Sequence, residues 1–339
     1  MFRNKLTYIA LSAFVSVVLL WFLFSRIDFA DLALAFSRVF PPALAVYAVV
    51  AVLAAWLRAW RYKWLLHPQP IGWGNILLVT FIRNSLIDLL PARLGSLSYI
   101  YVLNKRLGFR FETATSSFVA AFVLDFLTIS PFLIVSLLAI GMGTNAISAP
   151  LLLAIAVAFF LLVGVAYWKI TPIAGLLLVI FRRLLRSARL EENRTARIVA
   201  AKFELTIQSL EGIQQRGRAV SIFILSLLIR LAKYVSLYAL FYAFLRAYGY
   251  SLHQLSFWIF ILGLSGAELT SILPIKGLAG FGTWETGWAL TFKLLGFDPK
   301  LAVISGIGVH FLTNLFEYSL GLASILILVW PYLWKRREK

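Results

Sequence analysis

Along this chain of 339 residues, apolar positions run in long blocks and polar positions gather at the joins between them. A helix rises about 1.5 Å per residue, so about 20 predominantly apolar residues cross a hydrocarbon core about 30 Å thick. Six blocks are long enough, at 6–25, 42–66, 113–140, 150–170, 219–246 and 300–330. Two further apolar regions, 75–106 and 255–296, are too long for one crossing, and each is broken near its middle. The pattern predicts an all-α polytopic membrane protein with six full spans and two interrupted regions.

The interruptions are two copies of one motif. Leu90-Pro91-Ala92-Arg93-Leu94-Gly95 leads into a short helical run that closes on Leu107-Gly108-Phe109. Leu273-Pro274-Ile275-Lys276-Gly277 leads into a similar run that closes on Leu295-Gly296-Phe297. Proline removes a helix hydrogen bond and glycine lets the backbone turn or approach closely. Pro91 and Gly95 are therefore the helix-breaking positions of the first copy, and Pro274, Gly277, Gly280 and Gly282 those of the second. Broken helices at matching places in two halves point to a substrate site near the bilayer midplane.

Composition strengthens the membrane reading. The chain is 61% hydrophobic and 14% charged, with a mean hydropathy of +0.89, which no soluble core could bury. Cysteine is absent, which excludes disulfides and thiolate chemistry. The formal charge of +18 comes from 32 Lys+Arg against 14 Asp+Glu. These cations sit at the ends of apolar runs, the positive-inside arrangement, and not in a nucleic-acid patch. Arg3/Lys5, Arg58/Arg61/Lys63, Lys105/Arg106, the 182–218 segment and Lys335-Arg336-Arg337 are then cytoplasmic, as are both termini, in a plasma (inner) membrane. The first apolar run is followed by no small-residue cleavage site and reads as a retained span.

That assignment is self-consistent only if each broken region returns to the side it entered from, the first from the cytoplasm and the second from outside. A tight pair of spans has the same parity. The arm after Gly95, however, has about a dozen residues, or about 18 Å of helix, which favours two re-entrant helical hairpins. Units 42–140 and 219–330 then form an inverted repeat within a single membrane domain, 1–339. Between them, Val199, Phe203, Ile207, Leu210 and Ile213 give the 182–218 segment one apolar helical face beside a cluster of arginines. This segment either lies on the membrane surface, held by anionic lipid, or is a linker helix packed against protein.

His67, His253 and His310 are widely spread and show no zinc spacing. No phosphate-loop, nucleophile-elbow or dinucleotide fingerprint occurs, so the expectation is a transporter that is not an enzyme and has no cofactor. The informative residues are charges inside apolar runs. Arg83, Asp88 and Arg93 belong to the first hairpin, Glu268, Lys276 and Glu285 to the second, and Asp125, Arg230, Lys233 and Glu317 to full spans. A charge at helix centre costs about 2.5–3.5 kcal/mol on insertion scales, so these should face one another or a wet cavity. Asp88 with Arg83 or Arg93, and Glu268 with Lys276, would staple helices; gathered at two breaks, the set suits a substrate path. Ser96 is placed to cap the return helix, where Arg83 and Arg93 complete a phosphate site. Glu285, beside Trp284, either complements its own helix dipole or takes a cationic headgroup or a proton.

These motifs resemble the lysylphosphatidylglycerol synthase transmembrane-region family, also described as flippase-like. Pro91-Ala92-Arg93-Leu94-Gly95 is similar to that family's first break, Asp125 to its acid on the next span, and Pro274 through Gly280-Phe281-Gly282 to Glu285 to its second signature. The resemblance covers roughly 6–330. It differs at Ser96, where the family commonly has Glu, and at Lys276-Gly277-Leu278-Ala279-Gly280, where it has a Pro-Gly-Gly turn. Both departures suit an anionic headgroup better than an aminoacylated one. No soluble aminoacyl-transferase domain accompanies the spans, so the resemblance implies lipid translocation without synthesis. The expected activity is a flippase or scramblase for an anionic phospholipid or polyprenyl-phosphate headgroup. The alternatives are an ion-coupled transporter of a small anion, or a non-transporting subunit that recruits a lipid-modifying enzyme. Expected partners are membrane lipids, with a second copy of the chain or such an enzyme as further candidates and no nucleic acid.

Overall fold

The computed structural model describes residues 28–87, 95–141, 149–187, 193–214, 217–270 and 280–337, with Phe14, 17–21, Leu23, Ser25 and Leu89 besides. Every regular element among them is helical. Four are long and apolar enough to cross a membrane: Pro41–Leu65, Phe111–Ile140, Ala219–Tyr248 and Pro299–Leu328. They match the predicted runs 42–66, 113–140, 219–246 and 300–330. The run at 150–170 is a 20-residue apolar helix, Ala149–Trp168, and most of the run at 6–25 lies outside the described residues.

In chain order the helices are α1 (Phe29–Ser37), α2 (Pro41–Leu65), α3 (Trp73–Ile87), α4 (Ser98–Lys105), α5 (Phe111–Leu127), α6 (Ile129–Gly141), α7 (Ala149–Trp168), α8 (Ile170–Ser187), α9 (Arg194–Gln214), α10 (Ala219–Leu245), α11 (Phe257–Thr270), α12 (Thr283–Leu294) and α13 (Pro299–Arg337). Pro41 and Pro42 open α2, where a missing N–H costs nothing. The predicted span at 113–140 divides at Thr128, whose Oγ1 bonds back to the carbonyls of Leu124 (3.0 Å) and Asp125 (3.2 Å). Such back-bonding bends helices. At the other end of the bundle, Lys300 Nζ lies 2.7 Å from Asp31 Oδ2, and that bond holds the Asp31 carboxyl below its usual range.

Each interrupted region holds two described helices, α3 and α4 in the first and α11 and α12 in the second. Asp88, Pro91, Arg93, Pro274, Lys276 and Gly277 lie outside the described residues. The glycines that remain explain the local turns. A Cβ on Gly95 would sit 1.4 Å from the Leu86 carbonyl oxygen, so only glycine lets the returning chain lie against the end of α3. Gly280 and Gly282 have φ of 80° and 89°, which L side chains rarely adopt.

Contacts in one half are repeated in the other. α2 packs along α10; α3 packs on α13 as α11 packs on α6; α4 packs on α5 as α12 packs on α13. Close approach uses small residues. Ala54, Ala55 and Ala59 are buried on α2, Gly263 and Gly266 meet Phe292 and Thr291 across the α11–α12 seam, and Gly321 lies on Ser85 where α13 crosses α3. Among the described residues, two large apolar cores result, with a small third one between α8 and α9. One large core stacks Phe241, Trp288 and Phe292, with ring centroids 4.6–5.5 Å apart; the other places Tyr62 against Tyr99 at 4.4 Å.

Within the 182–218 segment, part of the apolar face of α9 packs on protein. Ile207, Leu210 and Ile213 of α9 are buried, Phe203 is partly so, and Val199 is exposed. Polar bonds fix α9 in place: Lys202 to Glu112 (3.3 Å), Arg182 to Glu204 (2.9 Å), and a shared Ser116–Ser209 hydroxyl bond (2.8 Å).

Candidate functional site

The site begins on α2. Its sequence position makes Arg58/Arg61/Lys63 a cytoplasmic flank, but Arg61 is 0% exposed. Its Nη1 lies 2.8 Å from Asp125 Oδ1 and donates to Ser226 Oγ at 3.1 Å, tying α2 to α5 and α10. Arg58 and Arg83 both donate to Asn84 Oδ1, at 2.9 and 3.3 Å. Other helices cover this face of α2 up to its last turn, so a residue near the helix end in sequence is still interior. Lys63 alone behaves as a rim residue, with Nζ 2.6 Å from the Ile71 carbonyl and 5.2 Å from the Trp73 ring.

These side chains border a cavity of about 620 Å³ between the two halves. Of the residues singled out from sequence, Arg83, Asp125, Arg230, Lys233, Glu268 and Glu317 line it. That volume falls in the range of small-molecule sites, about 300–1,000 Å³. Ser96 is buried but is not among the lining residues; it lies in the 3₁₀ turn before α4, whose N-cap position is Leu97. The substrate-site candidates Asp88, Arg93 and Lys276 fall outside the described residues.

Charge is distributed unevenly in the cavity. In the first cluster, Arg61 takes the near oxygen of Asp125, and Arg83 Nη2 stands 3.9 Å from the other. Two guanidiniums, those of Arg61 and Arg83, thus stand at one carboxylate, with Arg58 bonded to Asn84 beside them. Buried N–H groups remain without a bond at Arg58 Nε, Arg83 Nε, and Arg61 Nε and Nη2. In the second cluster, Glu268 is held by Arg230 Nη1 at 3.2 and 3.3 Å and by Lys233 Nζ at 2.5 Å. Both of these cations come from α10; Lys276, the partner that spacing suggests for Glu268, lies outside the described residues. Arg230 also donates to the Asp125 backbone carbonyl, so the two clusters touch.

Glu285 is 0% exposed and is not a lining residue. Its Oε2 accepts from the Gly282 N–H at 2.8 Å, closing the first turn of α12. Its Oε1 lies 2.5 Å from His310 Nδ1. The His310 ring sits 4.7 Å from both Phe281 and Trp284, and His310 and Trp284 reach the cavity wall. Glu285 therefore completes its own helix and orients His310 from behind.

Sequence reading missed Arg58, Asn84 and His310 as cavity residues. A signal existed on α13, where His310, Thr313, Asn314 and Glu317 recur at helical spacing in an otherwise apolar run. Among the described residues, no group of three or more metal-ligating side chains occurs.

Long apolar helices packed around a charged interior cavity define an integral, multi-pass membrane protein. The sequence matches the family described as the lysylphosphatidylglycerol synthase TM region over residues 9–321, and the chain belongs to that family. No curated protein matches it.

Proposed function

We propose that this protein moves the headgroup of an anionic phospholipid or polyprenyl-phosphate lipid across the plasma (inner) membrane, as a flippase or scramblase and not as an enzyme. The observation that carries this reading is the excess of cations in the cavity. Its described wall holds Arg58, Arg83, Arg230 and Lys233 against Asp125, Glu268 and Glu317. Buried cations in excess of their counterions are costly unless an anion joins them.

Supporting features concern the breaks. The arms of α3, α4, α11 and α12 have 15, 8, 14 and 12 residues. At about 1.5 Å each, none spans a core of about 30 Å, so both units suit re-entrant hairpins. The matched contacts of the halves suit an inverted repeat around one site. Both termini are then cytoplasmic. The family description names a lipid synthase; only the phospholipid headgroup is carried over here, without the aminoacyl group and without the synthesis. With no nucleotide-binding motif, movement is downhill or ion-coupled.

The test is reconstitution into liposomes that contain labelled anionic lipids. Headgroup transfer is expected, with Arg83→Gln slowing it at least about tenfold while the protein stays folded. No transfer of any anionic lipid, or uptake of small labelled anions alone, overturns the reading.

A further inference from the structure

We propose that Arg58, Arg83 and Asn84 form a phosphate subsite, and that the cavity accepts headgroups with an uncompensated phosphate charge and rejects those carrying an ammonium. The selectivity rests on the reading above that a lipid headgroup enters this cavity; the phosphate subsite does not.

Some of the cavity's charges are already committed. Asp125 is engaged by the fully buried Arg61 at 2.8 Å, and Arg61 also bonds Ser226. That pair staples three helices. Arg83, 5% exposed, is 3.9 Å from the same carboxylate, and among the described residues Arg58 has no acid within ion-pair distance. Both guanidiniums instead converge on the Asn84 carbonyl oxygen, which is neutral. Each lines the cavity and keeps a buried Nε–H without a bond. Two guanidiniums held side by side by a common acceptor present forked donors to one point, the arrangement that suits phosphate oxygens.

The acids have no such freedom. Glu268 is taken by Arg230 and Lys233, and Glu285 by His310 and the Gly282 N–H. Glu317 is engaged as well. Among the described residues, the cavity therefore offers spare cations and no spare carboxylate. An ammonium brought in with the phosphate would be desolvated beside arginines, with like charges facing each other. The family's description names an aminoacylated lipid; the geometry points to its non-aminoacylated, net-negative counterpart for this chain.

The experiment uses the full chain in detergent micelles, followed by intrinsic tryptophan fluorescence, to which Trp284 on the cavity wall contributes. It is titrated with inorganic phosphate, and separately with micelles doped with phosphatidylglycerol, phosphatidylcholine or lysylphosphatidylglycerol. Phosphatidylglycerol is expected to bind about tenfold or more tighter than the other two lipids, and inorganic phosphate to compete with it. Arg58→Gln and Arg83→Gln should each weaken phosphate and phosphatidylglycerol binding about tenfold, with Arg58→Lys recovering part of the loss. Thermal unfolding of each variant confirms that it folds. Equal affinity for phosphatidylglycerol and lysylphosphatidylglycerol overturns the selectivity, as does phosphate binding that no lipid displaces. Unchanged binding in both folded Gln variants overturns the subsite. Lipid transfer that persists in those variants sinks the subsite alone, whereas phosphate binding without any transfer sinks only the translocation reading.

Discussion

Asp125 is the residue on which the charged interior turns, because its single carboxylate faces both Arg61 and Arg83. Removing it leaves Arg61, which is fully buried, without a counterion. Asp125→Asn should therefore destabilise the protein by about 3–5 kcal/mol, the usual effect of breaking a buried pair from one side. Thermal unfolding in detergent checks this. Arg61→Met combined with Asp125→Leu should cost less than the sum of the two single changes, since the residues are in direct contact. Glu285 gives a second residue-scale prediction. Glu285→Gln keeps an oxygen for the Gly282 N–H, whereas Glu285→Ala abandons both that donor and His310. The Ala variant should melt lower than the Gln variant, with a loss of about 1–3 kcal/mol relative to wild type. Equal melting temperatures would show that the contacts of Glu285 are energetically idle. The acidic charges were legible in the sequence because a charge in an apolar run stands out. Their partners were not, since Arg61 and Asp125 are far apart along the chain and meet only when α2 and α5 pack.

At the scale of elements, the two interrupted units were readable because proline and glycine act locally on the backbone. Their packing was not. Gly266 looks ordinary within the apolar run of α11, yet a Cβ there would lie 1.8 Å from Thr291 Oγ1 on α12. Gly266→Val should force the two arms apart and lower the melting temperature, while Gly175→Val on α8, where a Cβ would meet nothing within 4 Å, should change it little. A similar effect at both positions would remove the argument for a close α11–α12 seam. The amphipathic face of α9 teaches the same lesson from the other side. Its periodicity predicted an apolar face correctly, but membrane and protein present the same apolar surface to a sequence. Only the docking of Ile207, Leu210 and Ile213 against neighbouring helices distinguishes them.

Taken whole, the molecule rests on contacts repeated between its halves, and the absence of cysteine makes their orientation measurable. If both units are re-entrant and inverted, single cysteines at exposed His67 and Arg110 should react with an impermeant thiol reagent from one face of the membrane. Cysteines at exposed Leu252 and Pro299 should react only from the opposite face. Labelling of His67 and Arg110 positions from different faces would mean that the first unit crosses the bilayer.

The sequence by itself determined that this is a helical membrane chain, and it marked Asp125, Glu268, Glu285 and Glu317 as acids set in apolar runs. Those properties follow from local composition and spacing, which folding does not alter. Only the tertiary structure decided how the charges are shared. It turned Arg58 and Arg61 from an apparent flank into interior residues, gave Glu268 to α10, and set Glu285 behind His310. Pairing of charges depends on which helices meet and on the rotation of each about its axis. Linear spacing does not encode either one.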